Sequence, residues 1–199
     1  MKEVLEEFSI LLRERLSKTY TTEDSVRFTF FAALLKRTNI APHEIILEYP
    51  HPKIPGAEVD TYIPSSFEKK GLVLEFKYDR KIPSGRNAPR SQKAGKLFND
   101  IYRLTQFHAD TNPTLWFVYL ADSEMVNYLR NERNGLMGFF ELAVGEVLRV
   151  DKEYICSKSD TFQGAIGEAL SAQIKCMWNE KMLKQHEMRV YEILPLSMA

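Results

Sequence analysis

The sequence is poor in the residues that make a site easy to recognise. Its two cysteines, Cys156 and Cys176, lie 20 positions apart and form no CxxC pair. That argues against a disulfide frame or a cysteine zinc site and fits thiols in a reducing, cytoplasmic setting. The four histidines, His43, His51, His108 and His186, show no ligand spacing. There is no glycine-rich phosphate loop, nucleophile elbow or cysteine–histidine motif. No apolar run approaches the roughly 18 residues that a membrane helix needs, so no membrane partner is expected. The opening stretch, MKEVLEEFSILLRERL, is amphipathic and acidic, unlike a signal or transit peptide. Repeats and low-complexity linkers are also missing.

Net charge is absent as well, with 27 Lys and Arg against 27 Asp and Glu. The distribution is uneven, however. Residues 69–96 hold nine bases (Lys69, Lys70, Lys77, Arg80, Lys81, Arg86, Arg90, Lys93, Lys96) and two acids (Glu75, Asp79), a local charge of +7 that leaves −7 elsewhere. A basic segment on an otherwise acidic chain points to an anionic partner on one face. With 44% hydrophobic residues in 199, the chain can bury one core, so a single domain over 1–199 is expected.

Periodicity sets the expected elements. Residues 2–17 and the stretch TYTTEDSVRFTFFAALLKR read as helices, the second capped by Thr21 or Thr22. EIILEYP (44–50), AEVDTYI and GLVLEFKY read as strands, with a hairpin loop at PSSFEKKG. RKIPSGRNAPRS reads as a loop, QKAGKLFNDIYRLTQF as a helix, and TLWFVYLA as a strand buried on both faces. SEMVNYLRN reads as a short helix, FQGAIGEALSAQIKCMWNE as helical and EMRVYEIL as a late strand, while FFELAVGEVLRV fits either type. The expected fold is α/β: a mixed central sheet flanked by helices, with a core of about 22–120 and peripheral helices plus a late strand over 121–199.

Charge interrupts two of these strands. Side chains alternate across a strand, so Glu58, Asp60 and Tyr62 share one face of the second. In the third, Leu72, Leu74 and Phe76 face one way and Val73, Glu75 and Lys77 the other. If the hairpin sets Glu58 and Asp60 opposite Glu75 and Lys77, three carboxylates and one ammonium converge. Crowded carboxylates repel, and a cation relieves them. Hard oxygen donors suit Mg²⁺ or Mn²⁺. A neighbouring lysine can hold a phosphate or steady a developing negative charge. The plainer reading is an exposed Glu75–Lys77 pair, and Glu58 either joins the cluster or stays solvated.

Asp60, 14 intervening residues, then Glu75-Phe76-Lys77 resembles the PD-(D/E)XK nuclease superfamily, the restriction-endonuclease-like fold. The order helix, three strands, helix, strand over 22–120 is similar to its core, although Val59 stands where the motif's name has proline. The resemblance implies a metal-dependent DNA endonuclease, with Asp60 and Glu75 as Mg²⁺ or Mn²⁺ ligands and Lys77 as catalytic lysine. It also implies an acid from the first core helix, for which Glu23 is the candidate and Asp24 the alternative. The helix after the loop would then lie beside the site, where Gln92 and Lys93 meet phosphate or water.

Arg80, Lys81, Arg86 and Arg90 of the loop are suited to gripping phosphates of duplex DNA. Lys96, Asp100 and Arg103 share the polar face of the following helix, read as solvated with a Lys96–Asp100 pair, or with Arg103 reaching a nucleic-acid backbone. Cutting both strands of a duplex favours a homodimer, although the sequence shows no dimer interface. The alternative function is an inactive nucleic-acid-binding or interaction domain of the same fold. His51 is read as a core or surface residue and not a catalytic one.

Overall fold

The computed structural model describes residues 1–64, 70–82, 85, 87–107, 112–167 and 170–195. Its helices and strands form three layers. The apolar stripes of α1 (Lys2–Lys18) and α2 (Glu23–Arg37) cover one face of a sheet. Thr22 caps α2 by accepting the Ser25 N–H, as a β-hydroxyl at that position favours. After a 3₁₀ turn the chain forms β1 (Ile46–Pro50), β2 (Glu58–Ile63) and β3 (Leu72–Asp79). It then crosses the other face as α3 (Arg90–Gln106) and returns as β4 (Thr114–Ala121), parallel to β3. β4 is buried on both sides, with Phe117 and Tyr119 in the α3 layer and Trp116, Val118 and Leu120 in the α1–α2 layer.

The remaining residues do more than surround this core. After α4 (Ser123–Arg130) and α5 (Met137–Phe140) come β5 (Val147–Val150), α6 (Lys152–Cys156), α7 (Asp160–Ile166), β6 (Ala172–Lys181) and β7 (Glu187–Pro195). Together the strands form one seven-stranded sheet in the order β1-β2-β3-β4-β7-β6-β5. β7 lies antiparallel against β4 in the middle of that sheet. The helical reading of FQGAIGEALSAQIKCMWNE holds only for its first part. The helix ends before Gly167, which has a φ of 78°, and residues 172–176 then alternate buried and half-buried. That two-residue period belongs to a strand, and Ala172, Ile174 and Cys176 enter the core through it. The loop at PSSFEKKG lies largely outside the described residues.

Among the described residues no helix is long and apolar enough to cross a membrane.

α3 carries several of the predicted site residues, and its placement depends on contact with α7. A Cβ added at Gly95 would run into the Phe162 carbonyl oxygen and sit 2.7 Å from the Ala165 Cβ. Gly164, on α7, has nothing within 4 Å of the same added atom. Gly95→Ala should therefore destabilise by about 1–3 kcal/mol despite alanine's better helix propensity. Gly164→Ala should instead be neutral or stabilise by up to about 1 kcal/mol. Urea midpoints of the two variants measure this, and a Gly95→Ala protein as stable as the parent would show that the helices have room to part.

Candidate active site

The site begins where two strands separate. β2 and β3 pair from Ile63–Leu72 to Thr61–Leu74, and the ladder stops there. Strict alternation along β2 also fails at this point, since Val59 and Tyr62 both pack in the α3 layer while Ile63 packs in the other. Glu48, in the neighbouring β1, has a φ of 50°. Beyond Leu74, the edge of β3 finds carboxylates instead of a strand. Asp60 Oδ2 accepts the Phe76 N–H at 2.7 Å, and Glu23 Oε2 accepts the Tyr78 N–H at 2.8 Å. These two acceptors satisfy backbone donors that β2 no longer reaches.

Burial then sets the electrostatics. Glu75 is 2% exposed. Its pKa lies well above the usual carboxylate range, first because burial disfavours the charge and next because Asp60 repels it. A side-chain hydrogen bond between the two acids favours the protonated form further. Arg103 opposes this, its Nη2 lying 3.0 Å from Glu75 Oε1 and 3.3 Å from Asp100 Oδ1. Arg27 Nη2 donates to Asp60 Oδ1 at 2.7 Å. Lys77 Nζ stands 3.8 Å from both Glu23 and Asp100. Burial works to lower the Lys77 pKa, but Glu23, Asp100, Asp79 and Asp60 together outweigh it and raise the value. Lys77 therefore stays an ammonium at neutral pH.

Four carboxylates (Glu23, Asp60, Glu75, Asp100) thus face three cations (Arg27, Lys77, Arg103). Fully ionised, these seven groups are one positive charge short, and Asp79 near Lys77 and the exposed Glu48, 3.9 Å from Arg27, add further acid. Asp100 reflects this: burial first, then Asp60 and Glu23, raise its pKa to about 6 despite the nearby Lys77 and Arg103. Asp79, next along the same face of β3, is buried, accepts the Tyr119 hydroxyl at 3.1 Å and is likewise raised by burial.

The predicted residues fall into distinct groups. Asp60, Glu75, Lys77 and Glu23 come together, and Glu23 is the helix acid that reaches β3 while Asp24 is not part of these contacts. Glu58 is exposed at the start of β2, opposite Pro50 of β1, and makes none of the cluster's contacts. Asp100 and Arg103 leave the solvated face expected of them, because the polar side of α3 lies over β3; Lys96 remains exposed without the expected pair. Lys81 and Arg90 both pair with Glu124, at 3.1 and 3.0 Å, and Lys93 Nζ donates to the Arg80 carbonyl at 2.9 Å. Gln92 is half-buried near the start of α3, and Arg86 lies outside the described residues. His51 is buried and structural. Its Nδ1 accepts two backbone N–H groups and its Nε2 meets the Arg103 carbonyl at 3.0 Å, which steadies the end of α3.

Sequence reading missed Arg27. Its only signal was the four-residue spacing from Glu23, which puts both on one side of α2.

Asp60 and Glu75 offer the hard oxygen donors that Mg²⁺ and Mn²⁺ prefer, and their mutual repulsion, which raises the Glu75 pKa, is what a divalent cation would relieve. Among the described residues, however, no group of three or more His, Cys, Asp or Glu side chains is arranged to hold a metal ion. The acids are distributed over Arg27, Arg103 and Lys77 instead of gathering at one point. The fold defines an α/β protein with an open, mixed sheet. No family model, curated protein or solved structure matches the chain.

The Asp100 shift has a testable consequence. Its folded pKa of about 6 exceeds the ordinary aspartate value of 3.8, so the folded state binds the proton more tightly. The penalty of the ionised group is complete above pH 6 and is relieved as pH falls towards 4. Relative to Asp100→Asn, the parent should gain about 1.4 kcal/mol in unfolding free energy between pH 8 and pH 5. Parallel denaturation series measure the gap, and a constant difference would mean that Asp100 titrates normally.

Proposed function

We propose that this protein is a metal-dependent phosphodiesterase that cuts DNA, with the restriction-endonuclease-like arrangement its motif resembles. The observation that carries the reading is the Asp60–Glu75 pair beside Lys77 in a network short of positive charge. Mg²⁺ or Mn²⁺ held by Asp60 and Glu75 would supply Lewis-acid activation of a phosphoryl group and of the attacking water.

The chain's own residues have separable tasks. Glu23 and Asp100 hold the Lys77 ammonium, which, staying protonated, steadies charge on a phosphoryl oxygen and does not act as a general base. Arg27 and the Phe76 N–H orient Asp60, and Arg103 orients Glu75. The basic residues Arg80, Lys81, Arg90 and Lys93 beyond β3 suit contacts to the DNA backbone. One observation favours a second reading, a nucleic-acid-binding domain without catalysis: Arg27 and Arg103 already neutralise the two acids a metal would need.

Plasmid and linear DNA incubated with Mg²⁺ or Mn²⁺ should be cut, with EDTA abolishing the activity. Glu75→Gln and Lys77→Met should each slow cutting by at least about 100-fold while leaving DNA binding in place. Binding without cutting under either metal would favour the second reading. Neither binding nor cutting would remove both.

A further inference from the structure

We propose that the cleft beside the candidate site is a stacking subsite for one unpaired nucleobase, built on Tyr20 and Arg80. The substrate would then carry a single-stranded segment close to the position of cleavage. This deepens the nucleic-acid reading above and rests on it.

Tyr20, between α1 and α2, is 66% exposed. A single exposed aromatic is ordinary, but this ring is held in place. The Arg80 guanidinium lies 4.4 Å from its centroid, and Arg80 Nη1 donates to the Tyr20 hydroxyl. The same guanidinium stands 5.8 Å from the Tyr78 ring, whose hydroxyl hydrogen-bonds His186 Nε2 at 2.8 Å. Arg80 therefore backs one face of Tyr20, and a fixed ring loses little conformational freedom when a base settles on it. Arginine against an aromatic ring is itself a favourable pairing that a stacked base extends.

These side chains line a cleft of about 340 Å³, within the range of small-ligand sites. Lys81 and Lys184 line it as well. Lys184 belongs to the turn between β6 and β7, where Lys184 (φ 55°) and Gln185 (φ 59°) both adopt the left-handed conformation. Two successive non-glycine residues in that region are uncommon. Lys184 makes no ion pair among the described residues, which leaves its ammonium for a phosphate.

The cleft is tied to the candidate site by short covalent paths. Tyr78 and Arg80 follow Lys77 by one and three positions, so Arg80 lies about 10 Å further along the chain. Glu23 touches both Lys77 and the Tyr78 N–H. A strand passing Lys77 reaches Tyr20 within a few nucleotides. Bases inside a duplex have both faces covered by their neighbours, so a ring standing out from the protein can stack only on an unpaired or terminal base. Stacking also tolerates any base, so the preference is for structure and not for sequence.

The test compares a blunt DNA duplex with the same duplex bearing a single-stranded extension, by fluorescence anisotropy in EDTA at fixed salt. The extended duplex should bind about 5- to 100-fold more tightly, with quenching of a 2-aminopurine placed in the extension. Tyr20→Ala should erase the preference and the quenching, and Tyr20→Phe should keep both. Lys184→Glu, on an exposed residue, should reduce the preference without touching the ring and keeps the test decisive if Tyr20→Ala proves unstable. Equal binding of both duplexes, or a preference that survives Tyr20→Ala and Lys184→Glu, overturns the subsite alone. Failure to bind any of these DNAs in EDTA and in Ca²⁺ alike, together with no cutting under Mg²⁺ or Mn²⁺, overturns the functional reading with it.

Discussion

Two hydrogen bonds from backbone to carboxylate organise the site: the Phe76 N–H donates to Asp60 and the Tyr78 N–H to Glu23. They exist because β2 leaves β3 after Thr61–Leu74, and a strand edge at least partly buried must find acceptors elsewhere. Carboxylates that serve as those acceptors are drawn from β2 and α2 toward one stretch of β3. That stretch already carries Glu75, Lys77 and Asp79 on its other side. Strand separation therefore decides which acids meet, Glu23 entering where Glu58 would otherwise stand, and burial first, then the crowding with Asp60, raises the pKa values of Glu75 and Asp100. An unbroken β2–β3 ladder would have met the same N–H groups with backbone carbonyls and, by the register of Thr61 with Leu74, set Asp60 opposite Glu75 and Glu58 opposite Lys77.

That cause explains which parts could be read in the sequence. β3 announces itself because apolar and charged residues alternate, and Glu75 and Lys77 are conspicuous against Leu72, Leu74 and Phe76. Asp60 follows once a hairpin is assumed. Ladder length is not written in the pattern, so the sequence left open whether Glu58 joins the cluster or stays solvated, and it lies exposed at the start of its strand. Asp100 and Arg103 were hidden for another reason. A polar helix face looks the same whether it meets water or a charged sheet, and only the seating of α3 against β3 and α7 distinguishes the two. β6 was obscured by the glycine- and alanine-containing helix immediately before it, which carried the helical reading past Gly167.

The strands beyond residue 121 also matter to the site, although they contribute none of the clustered acids. β7 closes the open side of β4, so that β4 is held between two partners and β3 rests against a fixed neighbour. Behind it, Arg189 and Arg130 share Glu187 and lie over the Phe140 ring. This ties α4 to β7. α4 in turn is capped by Asp122, whose Oδ2 accepts the Lys81 N–H at 2.7 Å and whose own N–H bonds the Asp79 carbonyl. The chain leaving β3 is thus fixed at both ends, by Asp60 and Glu23 before the turn and by Asp122 after it.

With its backbone fixed, β3 can serve two surfaces at once. Successive residues of a strand point to opposite faces. Glu75, Lys77 and Asp79 look toward α3, where the buried network sets their protonation. Tyr78 looks toward α1 and α2, and Arg80 beyond the strand's end meets Tyr20. A nucleic acid crossing this end of the sheet would meet charge chemistry on one side and aromatic surface on the other, with Glu23 between them. The two sets cannot be shifted independently, because moving β3 by one residue exchanges every side chain between the faces. The hydrogen bonds that hold β3 in register are therefore the same ones that keep the candidate chemistry and the candidate stacking surface in step.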